Sequence, residues 1–252
     1  VTGTNNVGSG PSAGQYLTTG SRNVLGGPLA GRDLFGGSDN VVSGWATMRL
    51  AQGANFNVVI GSSALFSATG AVHSNVVIGA GAAYAYQGNE IVAVGRNALT
   101  NATGASNVAV GPSAGSIITT GARNSFYGFS ANAPANANDT IVIGYGATAT
   151  KSNEIVIGTG LQTHLNMFGI PFAHWDADAY NLWLGNDGPD IDPTGAFNLG
   201  IGRDTLNNAT TSNACIAIGN GALELHQSGN NTLAIGITAG QYSKNLWDTV
   251  LL

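Results

Sequence analysis

Asn-Val-Val-Ile-Gly at residues 57–61 is followed by the same five residues at 75–79. The string returns as Asn-Val-Ala-Val-Gly at 107–111 and, with Thr in the place of Asn, as Thr-Ile-Val-Ile-Gly at 140–144. A motif that recurs at a nearly fixed spacing is the signature of a repeat architecture. The closing glycines carry this register along the chain, mostly 16 to 18 residues apart: Gly10, Gly27, Gly44, Gly61, Gly79, Gly95, Gly111, Gly128, Gly144, Gly158, Gly185, Gly202, Gly219 and Gly236.

Each repeat, or coil, has an internal pattern of apolar and small residues. In the coil of Gly61, the residues one and three before the glycine are Ile60 and Val58. Their spacing of two predicts that both point to one side of a strand, taken here as the inner side. The third residue after the glycine is alanine in most coils, as at Ala64, which indicates a narrow interior. The glycine itself supplies backbone freedom between the two strands of a coil.

The Asn that opens the motif suits a turn, and we expect it to stack on its equivalents in neighbouring coils. The same alternation assigns the position two before the glycine to the outer side. This position is also often apolar: Leu25, Val42, Val59, Val77, Phe126, Val142, Val156 and Trp183. A strand that is apolar on both sides is normally buried on both sides. The pattern therefore predicts lateral packing against further copies of the chain, a homo-oligomer; the alternative is that the chain's own loops cover the stripe.

Coil length selects the architecture. About 17 residues suffice for two short strands and two turns. The aliphatic residue every six positions of a three-sided helix is missing, as are the glycine-rich nonapeptides of calcium-binding rolls. The sequence predicts an all-β parallel β-solenoid, a flattened two-sided β-roll of about 15 coils. We expect a first roll segment over 1–158, an irregular aromatic insertion or joint over 159–184, and a second roll segment over 185–252 that ends within a coil.

Composition excludes several classes of function. Among 252 residues, 38 are glycine and only 8% are charged, with a formal net charge of −5. The eight Lys and Arg form no basic stripe, so we expect no nucleic-acid binding. No apolar run approaches the roughly 18 residues of a membrane span, so we expect no membrane insertion. The single cysteine, Cys215, excludes an intrachain disulfide, and we expect it to serve packing.

The repeat fails once, between Gly158 and Gly185, where aromatic and acidic residues concentrate. One interpretation is a protruding loop that contacts a receptor or glycan, because aromatic faces pack on sugars and carboxylates bind hydroxyls. The other is a joint between two roll segments, with aromatic side chains filling the seam. The two are compatible. The candidate binding residues are Phe168, Phe172, His174, Trp175, Asp176, Asp178, Tyr180 and Trp183.

Metal sites and catalysis find little support. The acidic stretch from Asp187 to Asp192 resembles a calcium loop, but it lacks the EF-hand spacing, which favours a solvated turn. His164 and His174 lie ten residues apart, a weak basis for a metal site. Asp176 and Asp178 could share a strand face as the paired carboxylates of a polysaccharide depolymerase do. Zinc-protease and phosphate-loop motifs are missing, and the Gly-Pro-Ser-Ala-Gly strings at 10–14 and 111–115, which match the letters of a nucleophile elbow, are copies of the coil repeat. We expect no enzyme activity, no metal and no cofactor.

The repeats at 107–111 and 216–223 resemble the head repeats of trimeric autotransporter adhesins of the YadA type. Similar repeats occur in bacteriophage tail fibres. The resemblance covers residues 1–158 and 185–252 and implies a left-handed parallel β-roll that forms a homotrimer. It further implies an extracellular structural or adhesive protein whose partner is a host cell-surface receptor or glycan.

Two departures from the adhesin pattern bear on the choice between these relatives. The adhesin head repeat is usually shorter than the coils here, and the sequence contains no stalk heptads or membrane anchor. Both departures favour a virion tail fibre that attaches to a bacterial host. The alternatives are the head of a bacterial adhesin at the cell surface, a pure spacer shaft, and, less favoured, a depolymerase.

Overall fold

The fold is taken from a computed structural model that describes residues 3–69, 72–159, 164–167, 170–176, 180–185 and 195–252; for 164–167 and 170–176 only the backbone pairing is considered. The chain divides into two compact units, Val1–Thr159 and Gly160–Leu252. Within the described ranges every regular element is a strand, and no helix occurs.

The first unit contains one sheet of ten parallel strands in sequence order. Each strand has three residues and belongs to one coil, and each pairs in register with the strand one coil away. The strands are β1 Val7–Ser9, β2 Val24–Gly26, β3 Val41–Ser43, β4 Val58–Ile60, β5 Val76–Ile78, β6 Val92–Val94, β7 Val108–Val110, β8 Ser125–Tyr127, β9 Ile141–Ile143 and β10 Ile155–Ile157.

The second unit contains a seven-stranded sheet in the order β11-β12-β13-β14-β15-β17-β19 and a two-stranded sheet, β16-β18. From β13 onward all of the pairings are parallel. The strands are β11 His164–Met167, β12 Ile170–Asp176, β13 Asn181–Leu184, β14 Leu199–Ile201, β15 Ile216–Ile218, β16 Ser228–Asn230, β17 Leu233–Ile235, β18 Asn245–Trp247 and β19 Val250–Leu251. Counted as complete turns between successive parallel strands, the two units give about 13, and the predicted all-β parallel solenoid is confirmed.

A second ladder of hydrogen bonds runs along the residues that come after each closing glycine, which we call the turn side (third to eighth residue after the glycine). Here the backbone amide of Gly31 donates to the carbonyl of Thr47 at 2.9 Å, and that of Met48 donates to Ala64 at 2.8 Å. The ladder is built from turns with alternating positive φ, such as Met48 at 50°. Each coil is thus bonded to the next on two sides, which is consistent with the predicted β-roll.

The core lies between the strands and the turn side, and it overturns one prediction. The middle residue of each strand from β2 to β9, two before the glycine, points inward: Leu25, Val42, Val59, Val77, Ala93, Ala109, Phe126 and Val142 are all at most 2% exposed. The residues one and three before the glycine point outward, as the exposed Val58 and Ile60 show. The predicted inner and outer sides of the strand are therefore wrong and must be exchanged. The alanines of the turn side, such as Ala64 and Ala98, are fully buried as predicted.

The predicted stacking of the asparagines is confirmed. The Asn57 side-chain amide donates to Oδ1 of Asn40 at 2.9 Å, and its own Oδ1 accepts from the Asn75 amide group at 2.9 Å. The ladder runs through Asn6, Asn23, Asn40, Asn57 and Asn75, resumes at Asn107 and Asn124, and appears in the second unit at Asn181 and Asn198. Because these groups are buried, the ladder satisfies polar atoms that water cannot reach.

Replacement of Asn57 by alanine is expected to cost about 1–3 kcal/mol, because the backbone and side-chain amides of Asn75 would both lose their buried acceptor, Oδ1 of Asn57. Urea unfolding followed by circular dichroism measures the effect. The matched control is Asn101→Ala, since Asn101 is exposed on the surface. Equal midpoints for the two variants would show that the ladder does not contribute to stability.

Candidate functional site

The segment in which the repeat fails forms antiparallel strands. β12 pairs on one side with β11, where His174 lies opposite His164, and on the other side with β13, where His174 lies opposite Trp183. β13 then pairs in parallel with β14. The antiparallel strands therefore extend the parallel sheet of the second unit at its first strand.

The predicted binding residues fall in different parts of this arrangement. Phe172, His174, Trp175 and Asp176 lie along β12. Phe168 and Asp178 lie outside the described residues, as does the acidic stretch 187–192. Tyr180 immediately precedes β13, and Trp183 lies within it. The histidines share one register position on β11 and β12, and no group of three metal-ligating side chains occurs among the residues that could be searched.

Tyr180 is 65% exposed and stacks on Phe197 of the next coil, with ring centroids 5.4 Å apart. Trp183 is 2% exposed and occupies the inward position of its strand. A Cβ added to Gly200 in the neighbouring strand would lie 2.5 Å from the indole, so the glycine makes room for the ring. Of these two candidates, Tyr180 is placed to meet a partner while Trp183 packs the interior; the binding role of the set stays a prediction.

Cys215 and His226 form a buried pair in the second unit, with Sγ and Nε2 3.9 Å apart. Burial raises the pKa of the Cys215 thiol and lowers the pKa of the His226 imidazole. Both changes favour the neutral forms, whereas an activated nucleophile needs a thiolate beside an imidazolium. The pair therefore has the character of interior packing, as expected for Cys215.

One surface of the first unit is formed by the residues one and three before each closing glycine in β1–β10, which we call the outward strand face. Its members form two mainly aliphatic columns with one residue per coil, in which Ser9, Gly26, Ser43 and Ser125 are the small or polar exceptions. The large apolar side chains of this face that are at least 36% exposed are Val7, Val24, Val41, Val58, Ile60, Val76, Ile78, Val110, Tyr127, Ile141, Ile143, Ile155 and Ile157. An apolar strip of this length on a parallel sheet is unusual for a surface left to water.

Ion pairs between neighbouring coils were not anticipated from the sequence. Arg22 contacts Asp39 through two hydrogen bonds of 2.6 and 2.7 Å, and Arg123 contacts Asp139 in the same way. The hydrogen bonds from each arginine hold the pKa of its aspartate below the usual range. The sequence did contain a signal for these ion pairs. In each pair, the arginine and the aspartate stand immediately before the ladder residues of successive coils, 17 or 16 residues apart.

The turn side carries a row of planar side chains that sequence reasoning also missed. Arg32 lies over the Tyr16 ring at 5.8 Å, and Arg49 lies over the Phe66 ring at 5.5 Å. Phe66 stacks on Tyr84 with centroids 5.1 Å apart. The signal would have been planar residues at equivalent positions of successive coils.

The geometry defines the class of the chain, a parallel β-solenoid repeat protein with two short hydrogen-bonded sides per coil. No family model, no curated protein and no solved structure matches the sequence. No helix in the described part of the chain is long and apolar enough to cross a membrane.

Proposed function

We propose that this chain is a structural and adhesive segment of a virion tail fibre or similar extracellular appendage, that it works as a homotrimer, and that it attaches to a bacterial host surface. The single observation that carries the proposal is the outward strand face. The fibre assignment rests on the resemblance of the repeats, which also supplies the number three and, as a second candidate, the head of a bacterial adhesin.

The outward strand face supports self-association through its size and regularity. Its two columns run over nine turns at about 4.8 Å each, or roughly 40 Å. Valine and isoleucine dominate both columns, and charged side chains are missing from them in β1–β10. Burial of such a surface against identical columns removes apolar area from water at about 25 cal/mol per Å². In contrast to the sequence prediction, the interface uses the residues beside the inward position and not that position itself.

Replacement of Ile78 by lysine is expected to dissociate the assembly, because a charge would enter the centre of the packed face. Light scattering on the wild-type chain should give three times the 25.4 kDa of one chain, and a lower mass for the variant. Ile117→Lys is the matched control. Ile117 is 54% exposed on the turn side, more than the 38% of Ile78, yet its replacement should leave the mass unchanged. A wild-type mass of one chain would refute the trimer.

Adhesion is tested separately, with fluorescently labelled chain and a panel of bacterial strains. Saturable binding to a subset of strains is the expected result, and loss of that binding after removal of surface polysaccharide would indicate a glycan receptor. Binding to animal matrix proteins in place of bacteria would favour the adhesin head. A trimer that binds neither would be a spacer and would contradict the adhesive part of the proposal.

A further inference from the structure

Five planar side chains from five successive coils lie on the turn side of the first unit. In chain order they are Tyr16, Arg32, Arg49, Phe66 and Tyr84, and we call them the turn-side stripe. Arg32 lies over the Tyr16 ring, Arg49 lies over the Phe66 ring, and Phe66 stacks on Tyr84, so neighbouring members contact one another within two groups along the roll. Four intervals of about 4.8 Å give the stripe a length of roughly 19 Å.

The two guanidinium groups at the centre of the stripe differ in their charge balance. Arg32 makes two hydrogen bonds to the carboxylate of Asp33, at 3.0 and 2.7 Å, which neutralises it. Arg49 has no ion pair within the described residues, and its Nε is buried without a hydrogen-bond partner. The stripe therefore carries one uncompensated positive charge, and it lies between Arg32 and the ring of Phe66.

Nε of Arg49 is buried, and the terminal nitrogens Nη1 and Nη2 form the edge of the guanidinium group that remains for an anion. A guanidinium group donates its hydrogen bonds in its own plane, so a ring over its face does not compete with an anion at its edge. A carboxylate matches that edge with two parallel hydrogen bonds. The partly exposed rings of Phe66 and Tyr84 on the next two coils offer apolar surface to the C–H groups of a sugar.

We propose that the turn-side stripe binds a carboxylate-bearing glycan, a chain that contains uronic acid, with Arg49 as the anion subsite and Phe66 and Tyr84 as the flanking contacts. This inference rests on the proposed adhesive function and names the ligand class. The stripe lies on the turn side, away from the outward strand face, so a trimer packed on that face leaves it accessible. Nucleic acid is disfavoured because the stripe offers a single unpaired arginine, which cannot neutralise several phosphates, and the chain has a net charge of −5.

The test uses the full chain and two acidic probes, oligogalacturonate and oligomannuronate, each beside its methyl ester of equal length. Calorimetry should show that the wild type binds at least one acid about tenfold more tightly than its ester. Arg49→Gln should remove that preference, a loss of about tenfold, because the paired charge-assisted hydrogen bonds disappear. Arg96→Gln is the matched control, because Arg96 is exposed and the described residues give it no ion pair either.

Three outcomes would overturn the inference. One is a wild type that prefers neither acid to its ester. Another is an Arg49→Gln variant that keeps the preference. The third is binding of oligothymidine that is tighter than the binding of both acids and that is lost in Arg49→Gln, which would indicate a nucleic-acid-binding surface. None of these outcomes touches the proposed function, which stands or fails on the mass of the assembly and on the adhesion of labelled chain to cells.

Discussion

Gly111→Ala is expected to destabilise the first unit by about 3 kcal/mol or more. Gly111 has a φ of 137°, in a region that residues with a side chain rarely adopt. A Cβ at this position would lie 2.5 Å from the carbonyl group of Gly128 in the next coil. That backbone cannot withdraw freely, because the amide of Gly128 donates to the carbonyl of Val110 at 2.8 Å. The energetic cost of the backbone strain and the cost of the clash with the next coil therefore add together.

Gly53→Ala separates these two causes. Gly53 also has a positive φ, 68°, but a Cβ there would meet no atom within 4 Å. Its replacement should cost only about 1–2 kcal/mol, the usual penalty for a left-handed backbone with a side chain. Thermal and urea unfolding followed by circular dichroism compare the variants, and amide exchange in β7 and β8 locates the damage. If Gly111→Ala is no worse than Gly53→Ala, close packing of the glycines is not what holds the coils together.

The features that the sequence predicted well are those that one coil shares with the next. The glycine register, the buried alanines and the asparagine ladder each depend on contacts between equivalent positions. Asn57, for example, bonds to Asn40 and Asn75, which occupy its own position in the neighbouring coils. Equivalent residues of successive repeats therefore contact one another in the structure, and these contacts can be predicted without knowing how distant segments pack.

The inner and outer sides of the strand were exchanged because the strand is apolar on both. Alternation assigns a face only when one set of residues is polar. A different signal was available. Around the large inward residue Leu25, the turn side has glycine in the same coil and in the preceding one: Cβ atoms on Gly31 and Gly14 would approach Leu25 to 2.9 and 2.7 Å. A large side chain on the strand is thus accommodated by glycine on the turn side, which identifies the middle residue of the strand as the one that points into the interior.

The antiparallel strands and the turn-side stripe lay beyond what the repeat could predict. β11 and β12 belong to a segment with no equivalent elsewhere in the chain, so no register relates them to a neighbour. The stripe joins residues of different kinds, and only their planarity and position are shared. Arg49 and Phe66 become a pair once the coils are aligned, since their separation in sequence is one coil.

Phe126→Ala is expected to cost about 3–5 kcal/mol, the usual range for loss of a fully buried phenylalanine. Phe126 is the inward residue of β8 and is 0% exposed. Its ring packs on Gly115 of the preceding coil, where an added Cβ would lie 2.9 Å from the ring. No side chain at Gly115 can move into the cavity, and the ladders on both sides of the coil hold the walls apart. The measured loss of stability should therefore include the full energetic cost of the cavity.

Phe129→Ala is the matched control, because Phe129 has the same side chain in the same coil but is 43% exposed. Its ring stacks on Tyr145 with centroids 5.2 Å apart, so its loss should cost about 1 kcal/mol. The difference between the two variants in urea unfolding measures which residues of the coil face the interior. If alternation had given the correct sides, Phe126 would lie on the outer surface and the two variants would unfold at similar urea concentrations. A large excess for Phe126 establishes that the residue two before each glycine builds the core, and that the aliphatic columns beside it are free to build an assembly.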